Sequence, residues 1–296
     1  MNGVSDWDGR SATELLALER LDRDLFRNRL NQRNANDALF GGQVLAQALA
    51  AATHSIEDSA ARRVHSLHGY FLRAGRAHGL VIYQVERTRD GGRLSTRRVT
   101  AIQEGAPIFH MECGFHADEP GFNHQATLPN GMKRPEDLKS LPELAAAMGD
   151  GIPDWLRARW ERQEPPIEVK PVEPERFMHA EGDDPHRSIW MRWKGTAGAN
   201  AAEQCCLLAY LSDMWLAGTP AVPHTTPMSS PTLFMASLDH AMWFHRPANV
   251  AEWLLFVCDS PSAQAGRGLA RALIYAEDGT LVASVAQEAL LRARKE

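Results

Sequence analysis

Two stretches of the sequence decide how this chain folds: His65-Ser-Leu-His-Gly-Tyr-Phe-Leu-Arg73 and Leu238-Asp-His-Ala-Met-Trp-Phe-His-Arg246. When they are superposed at a shift of 173 residues, the phenylalanine and the final arginine of one stretch meet those of the other. The apolar run at residues 80–85 then meets residues 253–258, and turn glycines stay in phase further on. A match at one shift over about fifty residues is typical of a duplicated unit. The sequence therefore predicts two copies of one β-rich unit.

Length and composition fit a globular protein with two cores. The chain has 296 residues, of which 44% are hydrophobic and 23% are charged, and this is an ordinary globular balance. A formal net charge of −5 argues against binding to nucleic acid or to anionic membranes, because either needs a basic face. The four cysteines include no C-x-x-C pair, which suits neither a disulfide framework nor a zinc site. We therefore expect a reducing compartment.

The sequence carries no recognisable address for export or for a membrane. The first residues lack a basic segment followed by an apolar one, so we expect no secretory signal. No apolar run reaches the roughly 18 residues that a membrane helix needs. The last residues, Arg292-Ala-Arg-Lys-Glu296, do not form the peroxisomal Ser-Lys-Leu signal. We expect a cytoplasmic protein without membrane insertion.

The first unit is predicted to be a long helix followed by an antiparallel meander. Residues 15–21 have apolar side chains at helical spacing, which predicts a short helix before a first strand at 25–30. Residues 40–53 predict a helix buried on every face, and the glycine pair at its start allows a close approach of backbone or ligand. From residue 64 to 116 the pattern predicts strands joined by glycine-containing turns.

The second unit is predicted to repeat this order after an ordered connector. The connector is punctuated by proline and glycine and has a helical pattern at 135–160. The later elements are predicted to be strands at 167–172 and 188–193, a helix at 202–216, and strands at 235–244, 253–258, 268–276 and 281–291. We therefore predict an α+β fold with a first unit at 1–120, a connector at 121–165 and a second unit at 166–296.

Three polar side chains lie at positions where the predicted fold should bury apolar side chains. Asp213 interrupts the apolar run of the second predicted helix, and Gln287 ends the buried face formed by alternate residues from 281. Ser237 lies on the first strand of the second meander and faces the same side as Met235 and Asp239. The counterparts of Gln287 and Ser237 in the first unit are Cys113 and Val64. The second unit is therefore predicted to carry the chemistry and the first to be degenerate.

Common catalytic signatures are absent. The sequence has no G-x-S-x-G nucleophile elbow, no P-loop, no G-x-G-x-x-G and no H-E-x-x-H motif. Serine-triad hydrolysis, nucleotide hydrolysis and dinucleotide redox chemistry therefore lose support.

Five ordered segments resemble the hallmark segments of the acyl-CoA thioesterase II family. They are Phe40-Gly-Gly-Gln-Val-Leu-Ala-Gln-Ala-Leu49, His68-Gly-Tyr-Phe-Leu-Arg73, Leu211-Ser-Asp-Met214, Ser237-Leu-Asp-His-Ala-Met-Trp-Phe-His-Arg-Pro247 and Val285-Ala-Gln-Glu288. The resemblance implies a tandem double hotdog, in which each unit has a central helix wrapped by a curled antiparallel sheet. It also implies hydrolysis of fatty acyl-CoA to a free fatty acid and CoA, a homo-oligomer (dimer or tetramer), and Asp213, Ser237 and Gln287 as catalytic residues.

This chemistry requires no metal, no cofactor and no covalent nucleophile. The CoA thiolate is a good leaving group because its pKa is near the value of about 8.5 for free cysteine. We expect Asp213 to take a proton from a water molecule, while Ser237 and Gln287 aim that water at the carbonyl carbon. Backbone N–H groups at the start of a central helix and the Gln287 amide are alternative donors to the developing oxyanion.

The sequence leaves alternatives open for the substrate and for the exact reaction. The apolar surplus suits a medium or long acyl tail, and Arg73, Arg246 and Arg267 are candidates for contacting the CoA phosphates. The neighbours Asp239 and His240 leave hotdog-type enoyl-CoA hydratase or dehydratase chemistry as one alternative, although strand neighbours point to opposite faces. A non-catalytic acyl-CoA-binding protein is another. Thiol release, loss of enoyl absorbance, or binding without either distinguishes the three.

Overall fold

The chain forms two compact units, each assembled from separate stretches of sequence. The computed structural model describes residues 4–7, 11–34, 36–58, 61–148, 166–175, 184–194, 200–224 and 233–293. Unit 1 comprises Met1–His124, Thr196–Met214 and Leu238–Asn249. Unit 2 comprises Gln125–Gly195, Trp215–Ser237 and Val250–Glu296.

Strands dominate both units. In chain order they are β1 Ser5–Asp6, β2 Leu18–Asp22, β3 Leu25–Asn28, β4 Leu30–Asn31, β5 Arg62–Phe71, β6 Ile82–Asp90, β7 Leu94–Gln103, β8 Ala106–Ala117, β9 Ile167–Pro171, β10 Arg187–Trp193, β11 Leu233–Ser237, β12 Asp239–Phe244, β13 Leu254–Gln264, β14 Arg267–Ala276 and β15 Leu281–Ala293. The α-helices are α1 Ala12–Leu16, α2 Gly41–His54, α3 Leu141–Met148 and α4 Ala201–Ser212. Short 3-10 helices cover Pro135–Asp137 and Leu216–Ala221.

Unit 1 is an antiparallel sheet with helices packed on one face. Its strand order is β2-β3-β6-β7-β8-β5-β12. Strands β7 and β8 are joined through Glu104 and Gly105, both with positive φ (50° and 77°). Such a two-residue turn matches the right-handed twist of the strands that it connects.

Helix α2 is the buried centre of unit 1. Its alanine-rich sequence favours helix because alanine loses no side-chain entropy on folding. Leu45 and Leu49 are fully buried, each contributing about 1.5–3 kcal/mol by leaving water. The helix packs against β5, β6, β7 and β8, and it ends at His54, where the Ser55 hydroxyl donates to the Ala52 carbonyl at 2.7 Å.

Helix α4 also belongs to unit 1, although it lies in the second half of the sequence. Its first turn is capped by Asn200, whose side chain accepts a hydrogen bond from the Glu203 N–H at 2.9 Å. The helix packs against α2, α1 and β5. Residues 207–211 are all buried, which explains the nearly unbroken apolar run in the sequence.

Unit 2 has an antiparallel sheet in the order β9-β10-β13-β14-β15, with β11 paired to β15. The 3-10 helix Leu216–Ala221 packs on β13, β14 and β15. Gly268 permits this contact, since a Cβ at this position would lie 2.3 Å from Cβ of Pro220. Residues 125–148 also belong to this unit, and Leu138 enters a core cluster with Trp190, Tyr275 and Leu281. The predicted helical pattern at 135–160 yields the first 3-10 helix and α3, and its remainder lies outside the described residues.

The duplication is confirmed at the level of strand register. Strand β5 has its counterpart in β11 and β12 together, and β6, β7 and β8 have theirs in β13, β14 and β15, with the same antiparallel meander order. In unit 1, Val64 is the partner of Phe115. The corresponding partners in unit 2 are Ser237 and Ala289, at shifts of 173 and 174 residues. The predicted α+β class is therefore confirmed by both copies.

Several element boundaries differ from the predicted ones; for example, the strand expected at 253–258 spans Leu254–Gln264. The helix expected at 15–21 spans Ala12–Leu16, because Leu18–Asp22 instead pairs with β3, and sheet pairing outweighs a weak local preference. The helix expected at 202–216 ends at Ser212 with Asp213 as its C-cap, and Leu216–Ala221 forms a separate 3-10 helix. The strand expected at 235–244 divides at Leu238, whose carbonyl accepts from the Phe71 N–H at 2.9 Å.

The domain boundaries at 1–120, 121–165 and 166–296 stay a prediction, because they describe duplication in the sequence rather than packing. Among the described residues, no helix is both long enough and apolar enough to cross a membrane.

Candidate active site

Asp213 lies at the end of α4 rather than within it. It is the C-cap residue, and its N–H is directed to the carbonyls of Tyr210 and Leu211. The carboxylate is buried, with only 4% of the side chain exposed. Burying a carboxylate is costly unless nearby groups compensate for the lost water, so the surroundings of Asp213 decide what it can do.

The first turn of α2 supplies one side of that environment. A Cβ at Gly41 would lie 2.8 Å from Asp213 Oδ2 and 3.1 Å from a ring carbon of Phe71. A Cβ at Gly42 would lie 2.8 Å from the carbonyl oxygen of Tyr210. The glycine pair therefore does what the sequence predicts and lets the start of α2 approach the end of α4. The positive end of the α2 dipole stabilises a negative charge at Oδ2.

His240 supplies the other side. This residue on β12 is fully buried, and its Nδ1 lies 3.9 Å from Asp213 Oδ1. Its Nε2 lies 2.9 Å from the Ser212 hydroxyl oxygen. Asp239, the sequence neighbour considered as its partner, is half-buried and points to the opposite face of the strand. The acidic group that faces His240 is therefore Asp213.

Ser237 and Gln287 meet in unit 2. The Gln287 side chain on β15 is fully buried, and its amide Nε2 donates to Ser237 Oγ at 2.5 Å. Alternate residues of β15 are buried from Leu281 to Gln287, as the sequence pattern predicts. A buried amide on an otherwise apolar strand face needs polar partners, and the serine is one of them.

Unit 1 has no such polar pair at the equivalent positions. Cys113 and Val64 stand there, and both are buried. The Cys113 thiol donates to the Arg97 carbonyl at 3.7 Å, and burial raises its pKa to about 12. A thiol that stays protonated at neutral pH is a poor nucleophile.

A pocket of about 230 Å³ opens in unit 1 near the start of α4. Its lining combines apolar side chains with basic ones, among them Leu208, Phe244, Arg63, His245 and Arg246. Burial, together with the charge of Arg246, lowers the pKa of His245. Arg246 also donates to Asn123 Oδ1 at 2.8 Å.

The other two arginines considered for the CoA phosphates make surface contacts. Arg73 donates to the Pro107 carbonyl, and Arg267 pairs with Glu288 at 3.0 Å. Within the described part of the chain, no three His, Cys, Asp or Glu side chains form a group that could hold a metal ion.

Asp213, Ser237 and Gln287 are the catalytic residues predicted from the sequence, and Ser212 is not among the residues that the sequence singles out. His240 was considered only together with Asp239, its neighbour in sequence. Its contact with α4 depends on the packing of β12 in unit 1, and no spacing rule predicts this contact. One signal was available: a histidine on a strand whose other alternate residues are apolar.

Comparisons with known proteins define the class and then the family. A protein of Alicyclobacillus acidocaldarius with a hot dog fold superposes with a TM-score of 0.74 at 17% identity, covering 96% of this chain and 98% of the other. The fold is therefore a hotdog fold, and two family models match it in tandem. These are the acyl-CoA thioesterase N-terminal domain at residues 31–116 and the acyl-CoA thioesterase C-terminal domain at residues 135–291. This tandem match confirms the predicted double hotdog.

Two relatives extend the match over nearly the whole chain. Acyl-coenzyme A thioesterase 8 of Homo sapiens is 39% identical, covering 95% of this chain and 89% of the human protein. The crystal structure of an acyl-CoA thioesterase II, TesB2, from Mycobacterium marinum has a TM-score of 0.79 at 35% identity, covering 96% of this chain and 99% of the other. The chain belongs to the acyl-CoA thioesterase II family.

Proposed function

We propose that this acyl-CoA thioester hydrolase acts on medium- to long-chain fatty acyl-CoA by direct attack of an activated water. Asp213 is the general base that takes a proton from the water. Ser237 and Gln287 hydrogen-bond to the water and aim it at the thioester carbon. The products are a free fatty acid and CoA, whose thiolate leaves without a metal or a cofactor.

The observation that carries this mechanism is the hydrogen bond from Gln287 to Ser237 on neighbouring strands of unit 2. A serine whose oxygen already accepts from an amide is held in one orientation, which suits a residue that positions water. Asp213 is a buried carboxylate beside the start of α2, which places it as the candidate base. Two polar groups and one base position and activate the water, and the developing oxyanion is to be met by backbone N–H groups at the start of a central helix or by the Gln287 amide.

Apolar side chains suited to an acyl tail support the preference for medium or long chains, since Met242 is buried and Phe244 lines a pocket. The test is a thiol-release assay across saturated acyl-CoA substrates from two to eighteen carbons. We expect kcat/KM to rise with chain length, because each buried methylene contributes about 0.8 kcal/mol to binding. A maximum at acetyl-CoA would contradict the chain-length assignment while leaving the hydrolase activity in place.

Thiol release, measured beside enoyl absorbance, distinguishes hydrolysis from the alternative activities. Enoyl-CoA offered in parallel reports hydratase activity as a loss of enoyl absorbance, and we expect thiol release to dominate. Binding without thiol release would indicate a non-catalytic protein.

We also propose a cytoplasmic homo-oligomer, either a dimer or a tetramer. All four cysteines are free thiols, as suits a reducing compartment. Light scattering coupled to gel filtration measures the oligomeric state, and cell fractionation measures the location. A monomer at assay concentration contradicts the first expectation.

A further inference from the structure

The interior of unit 1 holds a histidine that the proposed hydrolysis does not use. His240 is completely buried on β12, and its main-chain partner across the sheet is Gly69 of β5. A buried imidazole is kept in place by polar contacts at both ring nitrogens. Those contacts define what the ring does.

The contact at Nε2 fixes the ring. The Ser212 hydroxyl oxygen lies 2.7 Å from the Ala209 carbonyl oxygen and 2.9 Å from His240 Nε2. A hydroxyl has one proton, and a carbonyl can only accept. The serine proton therefore goes to Ala209, and Nε2 donates its own proton to Ser212. These two hydrogen bonds anchor the imidazole to the last turn of α4.

The contact at Nδ1 reaches the proposed base. With Nε2 held by Ser212, Nδ1 faces Asp213 Oδ1 at 3.9 Å. The second carboxylate oxygen, Oδ2, faces the start of α2 at Gly41. The carboxylate thus lies between an imidazole and a helix N-terminus. Because Nε2 already carries a proton, Nδ1 attracts Oδ1 in the doubly protonated ring, and the helix N-terminus attracts Oδ2.

We propose that His240 is a positioning residue for Asp213: held by Ser212, its Nδ1 fixes the orientation of the carboxylate from which the attacking water is activated. This inference rests on the proposed function. His240 does not touch the substrate, and it acts only through Asp213. Its effect therefore belongs to kcat and depends on the presence of the carboxylate.

Two amide substitutions distinguish the role of Nδ1 from the role of Nε2. In His240→Asn the amide nitrogen occupies the place of Nδ1, and in His240→Gln it occupies the place of Nε2. We expect His240→Gln to lower kcat for acyl-CoA by about 10- to 10²-fold, because a misplaced base loses its alignment, with KM close to wild type. His240→Asn should retain more of kcat than His240→Gln. The reverse order, or a loss confined to KM, would overturn the proposal.

The matched control is Asp259→Asn, which alters a surface carboxylate paired with Arg271 and should leave kcat unchanged. A double variant supplies a readout that a purely structural role would not move. Adding His240→Gln to Asp213→Asn should cause no further loss of kcat, because the carboxylate through which His240 acts is already gone. Multiplicative losses would show that His240 acts independently of Asp213 and would refute its positioning role.

Ser212→Ala decides the matter if the histidine variants do not fold. It removes the hydroxyl that holds Nε2, and we expect kcat to fall by about 3- to 10-fold; an unchanged kcat would overturn the proposal. Asp213→Asn measured alongside identifies which claim fails. If that variant remains active, the assignment of Asp213 as the base is wrong, and the proposed role of His240 is then wrong as well. If it is inactive while the His240 variants match wild type, only the role of His240 is wrong.

Discussion

Among single side chains, Asp213 is predicted to matter most for turnover. Asp213→Asn keeps the size of the side chain but cannot accept a proton at neutral pH. We expect kcat for acyl-CoA to fall about 10²-fold or more, the range for a lost general base, with little change in the thermal midpoint. Thiol release and circular dichroism measure the two quantities. Asp259→Asn, which alters a carboxylate paired with Arg271 on the surface, is the control. A variant that keeps most of its kcat would remove Asp213 from the mechanism.

Ser237 is predicted to position water rather than to attack the substrate. Ser237→Thr preserves the hydroxyl that accepts from Gln287 and should keep substantial activity. Ser237→Ala should lose about 10- to 10³-fold in kcat, because it removes one positioning hydrogen bond. Steady-state thiol release measures both variants. Equal activity of the alanine variant and wild type would show that the hydroxyl is dispensable.

A nucleophilic Ser237 would give different kinetics. It would produce a pre-steady-state burst of CoA and an acyl adduct on the serine, because acylation and deacylation would be separate steps. Trapping that adduct at nearly one equivalent per site would contradict direct attack by water. The hydrolase activity itself would stand.

For helices and strands, the sequence predicted the order well and the ends less well. The bounds of α2 were predicted to within one residue at each end, because the alanine-rich run and the glycine pair are both local signals. The division of the strand at Leu238 could not be predicted, since the side-chain pattern continues across it. What ends β11 there is the choice of partner: β11 pairs with β15, and β12 pairs with β5. Such choices depend on contacts distant in sequence.

Strand β8 carries the residue that replaces the glutamine in unit 1, and Cys113→Ala tests whether this copy is inactive. We expect kcat to remain within about twofold of wild type, since the raised pKa keeps the thiol protonated and unreactive at neutral pH. The small cavity should cost about 1 kcal/mol of stability. Thiol release and modification by iodoacetamide measure the outcome. Stoichiometric inactivation through Cys113 that substrate prevents would show that unit 1 is the active one.

Helix α2 is tied to its surroundings by a buried amide network that the sequence pattern does not reveal. The Gln47 side chain accepts from the Tyr83 hydroxyl at 2.8 Å and donates to the Leu15 carbonyl at 2.6 Å. Gln47→Leu removes the partner of the buried Tyr83 hydroxyl and of the Leu15 carbonyl. Each unsatisfied group costs about 1–3 kcal/mol of stability. We expect a clear fall in the thermal midpoint. Gln84→Leu, at an exposed position of β6, should change it little, and equal shifts for the two variants would show that the network does not stabilise the fold.

Across the complete chain, the repeat predicted the fold class and the order of elements, because duplication leaves its trace in turns and apolar runs. Two of the three proposed catalytic residues, Ser237 and Gln287, are found hydrogen-bonded to each other. The composition of the units could not be predicted in the same way. Unit 1 takes α4 and β12 from the second half of the sequence, and a local pattern does not specify which sheet an element joins.

That exchange of elements leads to a prediction about the boundary at residue 120. A fragment of residues 1–120 lacks β12, which pairs with β5 from Asp239 opposite Tyr70 to Trp243 opposite Ser66. It also lacks α4, which covers α2. An uncovered helix face and an unpaired strand promote aggregation. We therefore expect the fragment alone to aggregate, and co-expression with residues 121–296 to restore a folded complex.

The measurements are gel filtration, thermal unfolding and thiol release. The full chain is the positive control, and the co-expressed pair should approach its kcat because the same elements are present in both. Residues 1–120 that run as a monomer and unfold cooperatively would contradict the prediction, since they would show that β5 and α2 are stable without the elements supplied by the second half. That result would favour the boundaries predicted from the repeat over the units defined by packing.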